Sequence, residues 1–307
     1  MCLAFGARFG ATMSFAAERS LRVLEVHASA GVTPSELLEI CDAAPTGEPI
    51  YTGRNTIWAL DWHGKSLAVK AFGIPWGIRQ WIYGGFRASK AKRSFENASA
   101  LIALGLHTPR PLGYLEYGSR ARLQKSFYVS EYLPSSSGVF PLRDVLLDAN
   151  RLDREGVLTA FGRYTCQLHD LGVLHRDYSP GNILVTPPGS QERTARDNES
   201  LSLPVLEMRS STSPAYRFEL VDLNRMSFGT WSPQQRMHNL RFLWAGDDDL
   251  RIVVSGYAEV FEQPMHTLLQ AARRASQGHK AKATREERLK NSLRAWLGKG
   301  SPAGGST

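Results

Sequence analysis

Asp177 and Asn182 stand five positions apart in the run His175-Arg176-Asp177-Tyr178-Ser179-Pro180-Gly181-Asn182. A carboxylate can accept a proton from an attacking hydroxyl or orient it, and a carboxamide oxygen is a hard ligand suited to a magnesium ion bridging nucleotide phosphates. Pro180 and Gly181 oppose continuation of a helix, so the polar groups are expected in an ordered turn. The spacing reads as a loop for phosphoryl transfer. A second acid is then needed to face the phosphates through metal, and Phe218-Glu219-Leu220-Val221-Asp222 supplies a strand ending in Asp222. An Asp at a strand end is ordinarily a turn residue, so Asp222 gains its weight from following the first loop.

These groups need rigid supports. Val157, Leu158, Phe161, Tyr164, Thr165 and Leu168 recur at helical spacing and predict a helix before the loop, while Ile183-Leu184-Val185 predicts a short buried strand after it. Ser66 to Phe72 is a strand-like apolar run interrupted by Lys70, and a lysine in such a setting either faces solvent at an edge or requires an anion. Thr33-Pro34 marks the start of a helix that follows the apolar segment Leu21 to Val26. Further helices are expected near 89–105 and 233–246, and two strands over Ile50 to Leu60. Between Val185 and Phe218 lies a polar interval with Pro187-Pro188-Gly189-Ser190 and a strand predicted at Leu203 to Met208. Its length fits a mobile hairpin or a substrate-facing insertion. The small-residue tail from Gly298 is expected to be disordered.

The chain resembles protein kinases at His175-Arg176-Asp177 and Asn182, which match H-R-D-x-x-x-x-N, and at Asp222-Leu223-Asn224, which stands where those enzymes carry D-F-G. It is more similar to the lipopolysaccharide kinase family, InaA-like, that phosphorylates heptose or 3-deoxy-manno-octulosonic acid (Kdo) sugars of the bacterial outer-membrane core. The residues that carry this likeness are the same eight-residue run, Val221-Asp222-Leu223-Asn224-Arg225-Met226, and Tyr51-Thr52-Gly53-Arg54-Asn55-Thr56. The resemblance implies an α+β, two-lobed protein-kinase-like fold with a strand-rich N-lobe and a helical C-lobe. It also implies ATP and Mg²⁺ as cofactors. By that resemblance Asp177 and Lys70 are catalytic, and Asn182 and Asp222 bind metal. Lys70 would hold the nucleotide phosphates, positioned by Glu96, with Gly53, Arg54 and Asn55 covering them and Glu131 to Leu133 meeting the adenine. G-x-G-x-x-G is absent, and no A-P-E follows Asp222, which favours a sugar or other small hydroxyl acceptor over an extended protein. The expected organisation is an extension capping the small lobe over 1–48, an N-lobe over 49–133, a C-lobe over 134–275 with an insertion at 186–217, and a basic helix and tail over 276–307. A protein kinase, another small-molecule kinase, and a kinase-like binding protein of weak turnover are the rival readings.

Composition bounds the rest. With 307 residues of which 42% are hydrophobic, the chain can bury a substantial core. No apolar run reaches the roughly 18 residues of a spanning helix. Cys2, Cys41 and Cys166 are too few and scattered for a disulfide framework, and the first residues lack the pattern of a secretory signal. A cytoplasmic protein is expected, placed at the cytoplasmic face of the inner membrane if its acceptor is lipid-linked. The net charge of +8 suits anionic substrates, and nothing matches a nucleic-acid-binding motif, so no nucleic acid is expected. Two stretches combine basic and apolar residues as an anionic membrane surface would require: Trp76 to Tyr83, continuing to Arg93, and Arg285 to Leu297 with Leu289, Leu293, Trp296 and Leu297 on one helical face. The simpler reading docks both faces on the catalytic domain.

Overall fold

The computed structural model describes residues 21–73, 87–119, 122–148, 153–189 and 216–298. The chain divides into two compact units, Met1–Leu101 with Pro109–Leu133, and Ile102–Thr108 with Pro134–Thr307. The first is strand-rich and the second mainly helical, which gives the α+β class and the N-lobe and C-lobe expected from the sequence.

In the first unit, β1 (Leu21–Val26), β2 (Pro49–Thr52), β3 (Asn55–Trp62), β4 (Lys65–Phe72), β5 (Pro111–Gly118) and β6 (Leu123–Glu131) form an antiparallel sheet in the order β1-β5-β6-β4-β3-β2. β1 therefore joins the sheet as its edge, in register with β5 at Leu24↔Leu115, rather than lying over it as a cap. The helix α1 (Pro34–Ala43) opens on a capping box, in which the Thr33 hydroxyl accepts from the Glu36 N–H and the Glu36 carboxylate accepts from the Thr33 N–H. It buries Leu37, Ile40 and Cys41 against Leu67, Val69 and Ala71 of β4 and against Leu115, Phe127 and Val129. The two-residue period of a strand then turns Lys70 to the opposite face. There Lys70 is level with Ile57 of β3 and Tyr128 of β6, and Tyr128 in turn with Tyr114 of β5. Helix α2 (Lys90–Ala103) covers this second face through Phe95, whose ring centroid is 5.3 Å from that of Tyr114.

The second unit holds β7 (Phe140–Pro141), α3 (Leu142–Leu147), α4 (Arg154–Asp170), β8 (Val173–His175), β9 (Ile183–Thr186), β10 (Arg217–Leu220) and β11 (Met226–Phe228). It closes with α5 (Pro233–Asn239), α6 (Asp247–Ala258) and α7 (Met265–Gly298). β9 lies between β7 and β10, and β8 pairs with β11. α4 and α6 cross at backbone contact: a Cβ on Gly162 would lie 2.1 Å from the Val253 carbonyl oxygen, and one on Gly256 would lie 2.1 Å from that of Thr159. Helix α7 runs unbroken past 275, where the sequence suggested a division: Leu268, Leu269, Ala272 and Ser276 bury one face of it, the His279 ring packs on Phe242 and Trp244, and Lys280 donates to the Ala245 carbonyl. The helix predicted over 233–246 ends at Asn239 and tightens to a 3₁₀ turn over Leu240–Leu243. The aromatic stretch Trp76 to Tyr83, the strand predicted at Leu203 to Met208, and the side chains of Leu293, Trp296 and Leu297 lie outside the described residues.

Candidate active site

His175, the last residue of β8, anchors the loop from its interior. Its ring is fully buried. Nε2 lies 3.1 Å from the Val221 carbonyl oxygen, and the Asp177 N–H donates to Nδ1 at 3.0 Å. One tautomer satisfies both contacts, with the proton on Nε2 and the lone pair on Nδ1. An imidazolium would set an N–H against the Asp177 N–H, and burial already holds the ring's pKa below its ordinary value. His175 is therefore a neutral structural ring.

Asp177 and Asn182 are brought together. The Asn182 carboxamide N–H donates to the Asp177 backbone carbonyl at 2.9 Å, which turns Oδ1, its hard oxygen, away from that bond. The Pro180–Asn182 3₁₀ turn is closed by the Asn182 N–H donating to the Ser179 carbonyl at 2.9 Å. Tyr178 pins the same loop to α4: its side chain is buried, its hydroxyl is 3.0 Å from that of Thr165, and its ring stacks on Phe161 at 5.7 Å. The Asp177 carboxylate stays about two-fifths exposed, with its Oδ2 3.9 Å from an Arg225 Nη1.

Asp222 does not end a strand. β10 stops at Leu220, and Asp222 takes a left-handed conformation with φ +57° before the 3₁₀ turn Leu223–Arg225. Val221 carries the pairing one residue further before the turn: its N–H donates to the Asn182 carbonyl at 3.0 Å and its carbonyl lies 3.1 Å from His175 Nε2. The buried Asn224 carboxamide donates to Asp222 Oδ1 at 2.7 Å, a contact that glycine at this position would lack.

A buried polar chain supports the loop from below. Asn239, at the end of α5, donates its carboxamide N–H to the His175 carbonyl at 2.9 Å, so its Oδ1 faces His169 Nε2 at 3.2 Å. His169 Nδ1 in turn lies 3.2 Å from the Tyr257 hydroxyl of α6. Burial pushes the His169 pKa down to about 4. Sequence reading missed His169, Asn239, Asn224 and Tyr257. The one local signal was a histidine four residues after Thr165 on the apolar face of the predicted helix.

The N-lobe candidates lie on strands, a turn and a helix of the first unit. Lys70 points from the α2-covered face, with its ammonium 5.4 Å from the Phe72 ring centroid. Glu96 sits on α2, 3.6 Å from the Lys92 ammonium. Gly53 and Arg54 form the turn between β2 and β3, where the Gly53 N–H donates to the Asn55 carbonyl at 3.0 Å and the Gly73 N–H to the Arg54 carbonyl at 3.2 Å. Asn55 Oδ1 is buried without a partner among the described residues and, as an acceptor, offers nothing to a phosphate. The Glu131 N–H is taken by the Arg110 carbonyl at 2.9 Å, and the Tyr132 N–H by that of Ser66 at 2.9 Å. Those two amides are therefore spent within the unit, and Leu133 follows as its last residue.

A family model described as the lipopolysaccharide kinase (Kdo/WaaP) family matches residues 78–245, more than half of the chain. Among solved structures, "WaaP in complex with acyl carrier protein" is similar in fold at a TM-score of 0.52 and 18% identity, covering 86% of this chain and 99% of that one. The Rio2 kinase–ADP/Mg²⁺–phosphoaspartate complex from Chaetomium thermophilum has a TM-score of 0.42 and 15% identity, covering 82% and 71%. Comparison with curated proteins gave no match.

Proposed function

The chain belongs to the lipopolysaccharide kinase (Kdo/WaaP) family, and from that membership we propose that it transfers the γ-phosphoryl group of ATP to a sugar hydroxyl, Kdo or heptose, of the lipopolysaccharide core. The observation that carries the reading is the loop from His175 to Asn182. A neutral, buried His175 and the Asn182 carboxamide fix the backbone on both sides of Asp177, leaving its carboxylate accessible. Asp177 accepts the proton of the attacking hydroxyl or aligns it.

The residues present fit a magnesium ion. Asn182 has its N–H₂ committed to the Asp177 carbonyl, so the group it can present is an oxygen, and Asp222 is a carboxylate held by Asn224. These are the hard ligands that Mg²⁺ takes. When bound, the ion would neutralise phosphate charge. Lys70 orients the nucleotide phosphates in this reading, with Glu96 as the carboxylate that positions it. The turn at Gly53, Arg54 and Asn55 lies over them, and the segment ending at Leu133 meets the adenine. Alignment and fixed charge then supply most of the rate enhancement.

No helix among the described residues is long and apolar enough to cross a membrane. A lipid-linked acceptor would be met by peripheral contact at the cytoplasmic face, for which Leu289, exposed on the basic helix α7, is the supporting feature. Purified protein, Mg-ATP and defined core-sugar acceptors, with product phosphate located by mass spectrometry, test the proposal. Sugar phosphate that depends on Asp177 is expected; ATP turnover with no sugar phosphate would sink the substrate assignment.

A further inference from the structure

The C-lobe carries a recess of about 410 Å³ on the other side of the β8/β11 ribbon from the buried His175 ring. Strand alternation produces it. Val173 and His175 point into the core, so Leu174 and the following Arg176 point outward, and Ser227, level with Leu174, joins them. Trp231, α5 and the 3₁₀ turn after it close the other wall with Gln235, His238 and Arg241. The volume falls in the range of about 300–1,000 Å³ usual for small-molecule sites.

The hydrogen-bond inventory of this recess is one-sided. Among the described residues the Arg176 side chain donates through Nε alone, to the Ser227 hydroxyl at 2.5 Å. Among the described residues Arg241 donates through Nη1 alone, to His238 Nδ1 at 2.8 Å and the His238 carbonyl at 2.5 Å. That contact fixes the neutral His238 tautomer with its remaining N–H on Nε2, and burial with the neighbouring Arg241 keeps the ring's pKa low. Gln235 spends its carbonyl oxygen on the Ser232 N–H, which leaves a carboxamide N–H₂ to offer. Trp231 has its indole N–H taken by the Gly172 carbonyl at 2.8 Å, so it offers apolar ring surface alone. None of the lining residues is acidic, and among the described residues neither Arg176 nor Arg241 pairs with a carboxylate.

We propose that this recess binds an oxyanion carried by a sugar, the acidic group of the acceptor. Two guanidinium groups with unspent N–H pairs provide a fork for a carboxylate or phosphate, and the indole provides the flat apolar wall for the ring. Arg176 and Asp177 are consecutive, so the chain that binds the anion also carries the carboxylate assigned to the hydroxyl. The inference rests on the sugar-kinase reading and adds to it the class of acceptor and the place that recognises it.

The test titrates the full chain, without nucleotide, by calorimetry against Kdo, glucose 6-phosphate, inorganic phosphate and methyl glucoside. At least one anionic sugar should bind at least tenfold more tightly than methyl glucoside, and Kdo against glucose 6-phosphate distinguishes carboxylate from phosphate as the group read. Phosphate binding as tightly as either sugar would overturn the role of the ring. Arg241→Gln should weaken the sugar at least tenfold and Arg241→Lys less, because the charge stays and the fork is lost; Gln235→Glu, which keeps the oxygen that accepts from the Ser232 N–H and removes the N–H₂, should weaken it severalfold with the fold intact. Equal binding of the anionic sugar by the parent chain and all three variants would overturn the site. Phosphoryl transfer unaffected by Arg241→Gln would also overturn the site while sparing the kinase reading. Arg241-dependent binding with no transfer to any acceptor would sink the kinase reading and leave the site standing.

Discussion

Acidification should destabilise this fold through His169. The ring is buried at 1% exposure, with one nitrogen 3.2 Å from Asn239 Oδ1 and the other 3.2 Å from the Tyr257 hydroxyl. Because Asn239 must direct its N–H₂ at the His175 carbonyl, it requires a proton on His169 Nε2, and Nδ1 is left to accept from Tyr257. Burial, together with the nearby Arg236, lowers the folded pKa to about 4 from an ordinary 6.5. The unfolded chain therefore takes up this proton first as pH falls. The resulting stabilisation is fully present above pH 6.5 and is lost between there and about pH 4. At about 1.4 kcal/mol per pKa unit, the loss is about 3 kcal/mol, against a typical total of about 5–15 kcal/mol. Urea unfolding of the parent chain and of His169→Gln at pH 7 and pH 4 measures it. The parent should lose about 3 kcal/mol more than the variant over that interval. His175 shifts in the same direction and remains in both chains, so it cancels. Equal losses, or an imidazole NMR titration placing His169 near 6.5 in the folded protein, would refute the reasoning.

Asp177→Ala should abolish sugar phosphorylation while nucleotide affinity, followed by calorimetry, stays within a few-fold; retained transfer would remove Asp177 from the chemistry. Asp222→Ala should instead make nucleotide binding insensitive to Mg²⁺, and a preserved Mg²⁺ response would reassign the metal carboxylate. Asn224→Ala removes a hydrogen bond to a charged group, a contact worth about 1.5–3 kcal/mol, so the Mg²⁺ concentration that half-saturates activity should rise about tenfold or more. An unchanged Mg²⁺ titration would show that Asn224 does not position Asp222. Gly162→Ala puts a methyl group 2.1 Å from the Val253 carbonyl oxygen, and the α4–α6 crossing can relieve it only by moving backbone. A destabilisation of about 2–3 kcal/mol is expected in thermal or urea unfolding, and an unaltered midpoint would contradict the close crossing.

The legible part of this fold is the part written in short, local patterns. Pro180-Gly181 between a polar run and Ile183-Leu184-Val185 announced a turn and a strand, and Thr33-Pro34 announced the start of α1. Asp222 could be placed after a strand, but its left-handed backbone could not be read, because the Val221 peptide before it is held by Asn182 and His175, partners 39 and 46 positions away. The same holds for Glu131: its N–H could be assigned to a ligand only in ignorance of the Arg110 carbonyl that takes it. Likewise, nothing in Leu21 to Val26 says whether such a segment caps a sheet or extends it; the open edge of β5 decides. Asn239 and Tyr257 were invisible for a related reason. A polar residue near the end of an amphipathic helix looks like a solvated face until the tertiary fold sets a buried imidazole beside it.

The β8/β11 ribbon explains why loop support and ligand contact need not be mutated together. Alternation assigns His175 to the interior, where it fixes the Asp177 N–H, and Arg176 to the exterior, where among the described residues only its Nε is engaged. Asn239, itself buried, holds the His175 carbonyl and also lines the recess, beside the exposed His238 one position earlier on the same helix. A substitution at Asn239 leaves a buried carbonyl and a buried imidazole short of partners, so its cost falls first on stability and on the placement of Asp177. One at Arg241 removes charge from a half-exposed wall, so its cost falls on the ligand. His175 and Arg176, adjacent in sequence, thus belong to different energetic units, and the pattern of stability against affinity at these two positions is what separates the ribbon's two faces.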